Sequence, residues 1–223
     1  IIMTPGLWVV LTAFRPQVDV MAKPAVWIPR NLNLIQFETM LFGGSEGSMG
    51  RSPIPVLNYL RNSLIISFTS TFIAVLVGTI GGYGFARHNF NHKNKYFLLI
   101  MLTRTIPGIS LSLPIFILFS KIGLIDTHIG IILVFVALNI PFTIWLTDGF
   151  FRQIPKAMSE VAMTDGCTKL QAFWHIELPL SKSGIASAGI FAFLISWNEY
   201  ALVSNLARST DSVSYTHLRA HET

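Results

Sequence analysis

Few side chains in this sequence are placed to do covalent chemistry. His88 and His92 lie four residues apart, so a helix would present both imidazoles on one face, but no third metal ligand is near them. Cys167 is the only cysteine, which excludes an internal disulfide and a cysteine-based metal site. The H-E-x-x-H signature of zinc proteases is absent, and no serine–histidine or paired-carboxylate arrangement falls in the apolar segments. We therefore expect no catalytic residues and no metal site.

The composition is typical of a membrane protein. Hydrophobic residues make up 52% of the chain, charged residues only 12%, and the mean hydropathy is +0.56. A soluble domain carries about 25% charged residues. The formal charge of +5 does not indicate nucleic acid, because no basic stripe with interleaved aromatic residues exists. Lysines and arginines scattered in loops instead set membrane topology, so we expect the lipid bilayer as a partner.

One polar stretch, residues 148–182, separates two apolar segments and contains the most distinctive pattern. Pro155 favours a helix start, and Gly166 can adopt the left-handed conformation that ends a helix. Thr168 can cap a second short helix, which we expect Leu178-Pro179 to end. The pattern predicts two short amphipathic helices with a sharp bend between them. Such a shape suits docking into a groove on a partner protein.

The spacing within this stretch, which we call the bent loop (148–182), resembles a family motif. Glu160-Val161-Ala162, Gly166, Ile176 and Leu178-Pro179 are similar to the E-A-A-x3-G-x9-I-x-L-P loop of ABC-importer permeases, with Val161 in place of alanine. Four other segments resemble the carbohydrate-importer branch, which includes maltose-type and glycerol-3-phosphate-type permeases: 62–64 (NSL), 82–87 (GYGFAR), 123–127 (GLIDT) and 197–200 (WNEY). The resemblance covers nearly all of residues 1–212.

Apolar runs predict an all-α, polytopic membrane helix bundle. The expected spans are residues 62–86, 96–120, 129–147 and 183–197. Gly78 and Gly82 form a small-x3-small pattern, which is typical of a close helix contact but also of membrane helices in general. The basic turn 87–95 predicts a cytoplasmic location, and alternation of the spans places the bent loop on the same side.

Four residues are candidates for a translocation path, because they interrupt spans in ways that lipid does not favour. Arg104 is an intramembrane charge, which marks a functional site or a side chain that reaches the headgroups. Pro107 and Pro114 remove helix hydrogen bonds, so their span should face protein or a cavity. Asn139 opens the sequence Asn139-Ile140-Pro141, where we expect a break in the third span.

Both ends of the sequence affect the domain assignment. Residues 1–14 are apolar but too short for a span, and we interpret them as part of a truncated first span. Residues 213–223 (VSYTHLRAHET) match the translation of a transposon-type sequencing adapter. We therefore expect a single permease domain over 1–212, truncated at both ends, and leave 213–223 out of the functional argument.

The resemblance implies a transport subunit rather than an enzyme. Its partners would be an ATPase subunit dimer, a second permease subunit and an extracytoplasmic solute-binding protein, in a bacterial or archaeal plasma membrane. ATP and Mg²⁺ would bind to the ATPase, and this chain would bind no cofactor. Glu160 would anchor the ATPase, Ala162 would keep the helix surface close and Gly166 would keep the bend. The coupling loop would be completed by Asp165, Ile176, Leu178 and Pro179.

Three alternatives stay open at this point. An ion-coupled secondary transporter subunit would carry more Asp, Glu or His within its spans, where this chain offers Arg104 and the span-end Glu199. An intramembrane enzyme would need one of the catalytic patterns that the sequence lacks. An ABC permease for a non-sugar solute would share the bent loop.

Overall fold

The structure, a computed structural model, describes residues 3–14, 34, 56–199 and 201–206. All regular structure in these ranges is helical, which confirms the all-α prediction. A 3₁₀ turn (Thr103–Thr105) and a π-helical turn (Phe173–Glu177) also occur. The α-helices are α1 (Thr4–Ala13), α2 (Val56–Arg87), α3 (Lys93–Leu102), α4 (Gly108–Ile122), α5 (His128–Gln153), α6 (Lys156–Thr164), α7 (Lys169–Ala172), α8 (Leu178–Leu180), α9 (Lys182–Asn198) and α10 (Ala201–Leu206).

The chain forms two compact units, residues 1–58 and 59–223. In the first unit, α1 occupies most of the predicted truncated span, with Pro5 in its first turn, where a missing N–H costs nothing. Most of residues 15–61 and the whole tail 213–223 lie outside the described residues, so the origin assigned to the tail stays a prediction. The second unit contains the predicted spans and the bent loop.

Two helices within the described residues are each long and apolar enough to cross a membrane, Leu57–Arg87 and His128–Gln153. Two bent helix pairs could each supply another span. In the first pair, Lys93–Thr105 and Gly108–Ile122 meet at 94°, and in the second, Lys169–Leu180 and Lys182–Asn198 meet at 71°. The second predicted span is therefore broken just before Gly108, at Pro107, but it continues through Pro114, whereas the first and third are continuous.

The predicted break at Asn139-Ile140-Pro141 is wrong, because α5 continues through it. Pro141 is buried inside the helix, and the Thr143 hydroxyl donates to the Asn139 carbonyl at 3.0 Å. A membrane helix tolerates proline where neighbouring helices and threonine side chains support the backbone. The Asn139 side chain, fully buried, donates to Ser196 Oγ on α9 at 2.9 Å, which fixes this part of α5 against its neighbour.

Helices α2 and α5 approach closely along the glycines of α2. A Cβ added to Gly78 would lie 2.5 Å from Thr143, and one added to Gly82 would lie 2.9 Å from the Asp148 nitrogen and overlap Thr147 Oγ1. Thr147 Oγ1 also donates to the Gly78 carbonyl at 3.2 Å. Of the two readings left open by the sequence, the close helix contact is therefore the correct one.

Helix α9 contacts both α2 and α5 through a buried polar side chain. Ser196 accepts hydrogen bonds from Asn139 and from Ser70, so α2, α5 and α9 share one buried polar contact.

At the end away from the bent loop, α10 packs onto α4 and α5, and the Asp126 nitrogen donates to the Leu206 carbonyl at 2.9 Å. Its buried apolar cluster includes Tyr59, Ile66, Phe119, Ile131, Phe135, Leu202 and Leu206.

Candidate functional site

The bent loop has the predicted helix–bend–helix shape. Helix α6 starts after Pro155 and ends at Thr164, and Gly166 follows with φ of +95°, a left-handed conformation that favours glycine. The Cys167 nitrogen donates back to the Ala162 carbonyl at 3.0 Å, which closes the end of α6. Thr168 then caps α7 in a reciprocal capping box with Gln171. The sequence therefore predicts this bend correctly.

The second helix of the loop is longer than predicted, and Pro179 does not end it. The second helix continues from α7 through the π turn 173–177 into α8. It ends at Ser181, where the chain bends into α9. In the π turn the Leu178 nitrogen donates to the Phe173 carbonyl, five residues back. This widened turn directly precedes Pro179, whose ring would meet the carbonyl four residues back in a regular α-helix.

The start of the bent loop also differs from the prediction. Residues 148–153 belong to α5, so the chain leaves the long helix only at Ile154. The Asp148 carboxylate is buried and accepts from Arg152 Nε at 2.8 Å, one helical turn away. Because this pair satisfies the charge locally, the helix runs on past an aspartate that we expected to mark its end.

The predicted coupling residues separate into an outer and an inner group. Glu160, Asp165, Gly166 and Pro179 are exposed, whereas Ile176 and Leu178 are half-buried. Ala162 is buried at 9% exposure, so its small side chain packs inward. The roles assigned to these residues stay predictions.

The outward face of α6 is partly apolar. Met158 and Val161 are 44% and 59% exposed, and because they are three residues apart they are neighbours on one face of the helix. Glu160 is also exposed. Exposed apolar side chains are typical of a protein docking surface.

A buried ion pair, which the sequence did not predict, joins the bent loop to α2. An Arg87 guanidinium nitrogen lies 2.7 Å from Glu177 Oε2 and donates to the Ile154 carbonyl at 3.0 Å. The exposed fractions of the two side chains are 9% and 1%. Ser159 on α6 donates to the second oxygen of the same carboxylate. We call Arg87, Glu177, Ser159 and the Ile154 carbonyl the clamp.

An aromatic cluster lies beside the clamp. The Tyr83 ring lies 4.5 Å from Phe173 and 5.5 Å from Phe151, measured between ring centroids. Phe151 is fully buried, and Ile154 packs in the same cluster. In such a low-dielectric setting a charge pair is held together more strongly than on the surface.

The sequence offered a signal for the clamp that we did not use. Arg87 was counted among the exposed charges that set topology, and its burial corrects that assignment. Glu177 lies between the apolar residues Ile176 and Leu178. If this side of the helix is buried, the carboxylate needs a charged or hydrogen-bonding partner. The clamp places the basic turn and the bent loop at the same end of the bundle, as alternation predicted.

A cavity of about 860 Å³ lies between α3, α4, α5 and α9. Aliphatic side chains line most of it, with Thr103, Arg104 and Glu199 as polar members. The Arg104 guanidinium carbon lies 4.9 Å from the centroid of the Phe142 ring, a cation–π distance.

The other three path candidates are not among the lining residues of this cavity. Pro107 and Pro114 are exposed, and Asn139 is turned into the contact with Ser196. Their assignment to a translocation path stays a prediction. Within the described residues, no group of three or more His, Cys, Asp or Glu side chains could hold a metal ion.

The fold and the loop define a class of protein. Residues 74–221 match the family of binding-protein-dependent transport system inner membrane components, and the chain belongs to this family. It is therefore a multi-pass protein of the plasma membrane and one component of a transport system. The matched range ends within the tail 213–223, whose origin stays a prediction.

Two relatives and one solved structure are similar over most of the chain. The sulfoquinovosyl glycerol transport system permease protein of Agrobacterium fabrum is 27% identical over 89% of this chain and 66% of its own length. The diacetylchitobiose uptake system permease protein of Streptomyces coelicolor is 28% identical over 93% of this chain and 72% of its own length. A chain in the crystal structure of a bacterial ABC transporter involved in the import of alginate matches with a TM-score of 0.80 and 18% sequence identity. The match covers 97% of this chain and 72% of the other, which establishes the fold. The chain thus spans about two thirds to three quarters of each.

Proposed function

We propose that this chain is the permease subunit of an ATP-driven, binding-protein-dependent importer of a carbohydrate. The observation that carries the proposal is the bent loop, with its left-handed Gly166 and its exposed α6 surface at the positions of the importer-permease motif. The two relatives named above are described as permeases for a sulfoquinovosyl glycerol and for diacetylchitobiose. Both solutes are carbohydrates, which supports this solute class.

The ATPase docks on the outward face of α6. Met158 and Val161 supply apolar contact area, and the exposed Glu160 carboxylate supplies a charge for a basic or backbone N–H partner. The partners of the complex are an ATPase subunit dimer, a second permease subunit and an extracytoplasmic solute-binding protein. ATP and Mg²⁺ bind to the ATPase subunits, which supply the energy for transport.

The solute passes along the cavity beside Arg104. A guanidinium and a carboxylate, Arg104 and Glu199, are the charged groups in its lining, and both can hydrogen-bond to sugar hydroxyls. Most of the remaining lining is aliphatic, so the second permease must supply further polar contacts. The 94° break between the 3₁₀ turn and α4 gives this wall of the cavity a place to change shape during transport.

The test is uptake by the complete transporter in lipid vesicles. The full-length protein is reconstituted with the ATPase, second permease and binding protein encoded beside it, and uptake of labelled diacetylchitobiose, sulfoquinovosyl glycerol and maltose is followed. Uptake of at least one of these sugars that requires both ATP and the binding protein, and that is lost in Gly166→Pro, supports the proposal.

Other outcomes identify the alternatives. Uptake without ATP that is abolished by an ionophore would contradict the proposal and indicate an ion-coupled transporter. ATP-dependent uptake of labelled amino acids or peptides, with no sugar uptake, would keep the importer mechanism and overturn the solute class.

A further inference from the structure

The clamp connects parts of the chain that the backbone does not connect rigidly. Helix α6 is attached to α5 through Ile154 and Pro155, whose ψ values of 125° and 129° are extended rather than helical. At its other end, the loop bends by 71° into α9 after Ser181. Non-helical residues at an element's end are the ones that absorb angular change in a hinge. The backbone alone therefore leaves the loop free to swing.

Side-chain contacts remove this freedom. The Glu177 carboxylate is held on one oxygen by Arg87 of α2 and on the other by Ser159 of α6. The same guanidinium also binds the Ile154 carbonyl, next to the extended connection. One buried carboxylate thus ties together α2, α6 and the π turn, and one buried guanidinium adds the end of α5.

The connection of helix α2 to the bent loop depends most on these contacts, because no short chain segment links the two. Arg87 is its last residue, and Glu177 lies 90 residues further along the sequence. Separating the two groups would leave a buried charge without its partner, which is unfavourable. Movement of the loop without α2 is therefore opposed.

We infer that the Arg87–Glu177 pair makes α2 and the bent loop move as one body, so that a displacement of the loop by the ATPase reaches the bundle through α2. The inference rests on the proposed function, since it assigns two positioning residues to its coupling step. The close contact of α2 with α5 at Gly78 and Gly82 then passes the movement to the helix that borders the cavity.

The direct test measures whether the loop and α2 keep a fixed distance. Cys167 is replaced by serine, and spin labels are attached at Val77 on α2 and Thr164 on α6, both exposed positions. Distance distributions from pulsed electron resonance are recorded for the full-length protein in its complex, without nucleotide and with bound ATP. The parent should give one narrow distribution that ATP leaves unchanged.

Two substitutions then release the clamp, and a third serves as a matched control. Arg87→Gln and Glu177→Gln remove one charge each while keeping hydrogen-bonding groups, and both should broaden the distribution and make it depend on ATP. Arg152→Gln removes a neighbouring ion pair, Asp148–Arg152, that does not involve the residues after α5, and it should behave as the parent does. Clamp variants indistinguishable from Arg152→Gln would overturn the inference.

A second readout separates coupling from simple loss of structure. The number of sugar molecules imported per ATP hydrolysed should fall about tenfold in Arg87→Gln while the ATPase rate changes by less than about twofold. A parallel fall of both rates would indicate a structural role only and would contradict the inference. If Arg87→Gln does not assemble, Glu177→Gln carries the same comparison, and Arg87→Lys, which keeps the charge, should remain closer to the parent than Glu177→Gln.

The two readouts, solute uptake and label distance, distinguish failure of the inference from failure of the proposed function. If the parent complex imports no solute with ATP, the proposed function fails, whereas the nucleotide-free distances still report on the clamp.

Discussion

The described part of the chain contains two sharply bent helix pairs, and they are built in opposite ways. At the first bend, between the 3₁₀ turn and α4, Arg104, Ile106 and Pro107 are all exposed. At the second bend, where the loop meets α9, Glu177 and Ser181 are buried, and Glu177 belongs to the clamp. One bend is thus open on the cavity side, and the other is packed and charge-paired.

The difference shows how one bundle can combine a stiff part with a pliable part. Proline and the lack of buried neighbours leave the first bend free to change angle next to the cavity. The buried pair, the aromatic rings and the close α2–α5 contact hold the second. A transporter that receives force at one end and changes access in the middle needs both properties.

Breaking the clamp should have the largest effect on stability. Arg87→Met leaves the Glu177 carboxylate buried without its partner, and we expect a loss of about 3–5 kcal/mol. The double variant Arg87→Met/Glu177→Leu removes both charges and should recover most of this loss. Thermal unfolding of the detergent-solubilised protein measures both, and a double variant as unstable as the single would show that the charges do not form an energetic pair.

The α2–α5 contact that supports the clamp gives the next largest effect. Gly82→Ala places a methyl group against the Asp148 nitrogen and Thr147, and should cost about 1–3 kcal/mol. Gly84→Ala, two residues along the same helix, meets nothing within 4 Å and should stabilise α2 by about 0.5–1 kcal/mol. Equal unfolding temperatures for the two variants would contradict the close contact.

Two glycines with a left-handed backbone, both in residues that the structure describes, allow a comparison of opposite ends of the bundle. Gly166 in the loop and Gly123 at the far end have φ of +95° and +71°, and a Cβ at either position meets no atom within 4 Å. Alanine at either should therefore cost about 1–2 kcal/mol from backbone strain alone. ATP-dependent uptake should fall in Gly166→Ala and stay near the parent level in Gly123→Ala; the reverse pattern would remove the loop from the coupling step.

The open bend should show the smallest effect on stability. Arg104→Gln removes an exposed cation–π contact with Phe142, worth about 0.5–1 kcal/mol. Because Arg104 borders the cavity, we expect uptake to fall with little change in unfolding temperature. A change in unfolding temperature as large as that of Arg87→Met would mean that the first bend is not the looser one.

Local features of the loop could be predicted from the sequence, because each depends on residues close together in the chain. Pro155, Gly166 and Thr168 set the start, the bend and the second cap by their own backbone and side-chain chemistry. The Gly78–Gly82 pattern left two readings open, a close helix contact and a general feature of membrane helices, and only the approach of α5 decides between them.

Features that depend on distant partners could not be predicted. Arg87 has a clear local interpretation as a topology charge, and the apolar neighbours of Glu177 indicate that it needs a partner without indicating which one. Only the contact between the two identifies the pair. Proline at 141 and 179 predicted helix ends, but a packed neighbour in one case and a π turn in the other accommodate it. Asp148 predicted the end of a span, but its pair with Arg152 lets α5 continue.

The central claim is that the outward face of α6 receives the ATPase, and photo-cross-linking tests it most directly. A benzophenone amino acid is introduced at Val161, which is 59% exposed on α6, and at Ile190, which is 61% exposed on α9, in the assembled full-length complex. Illumination should join the Val161 variant to the ATPase subunit and leave the ATPase free in the Ile190 variant. An ATPase adduct at Ile190 with none at Val161 would contradict the account.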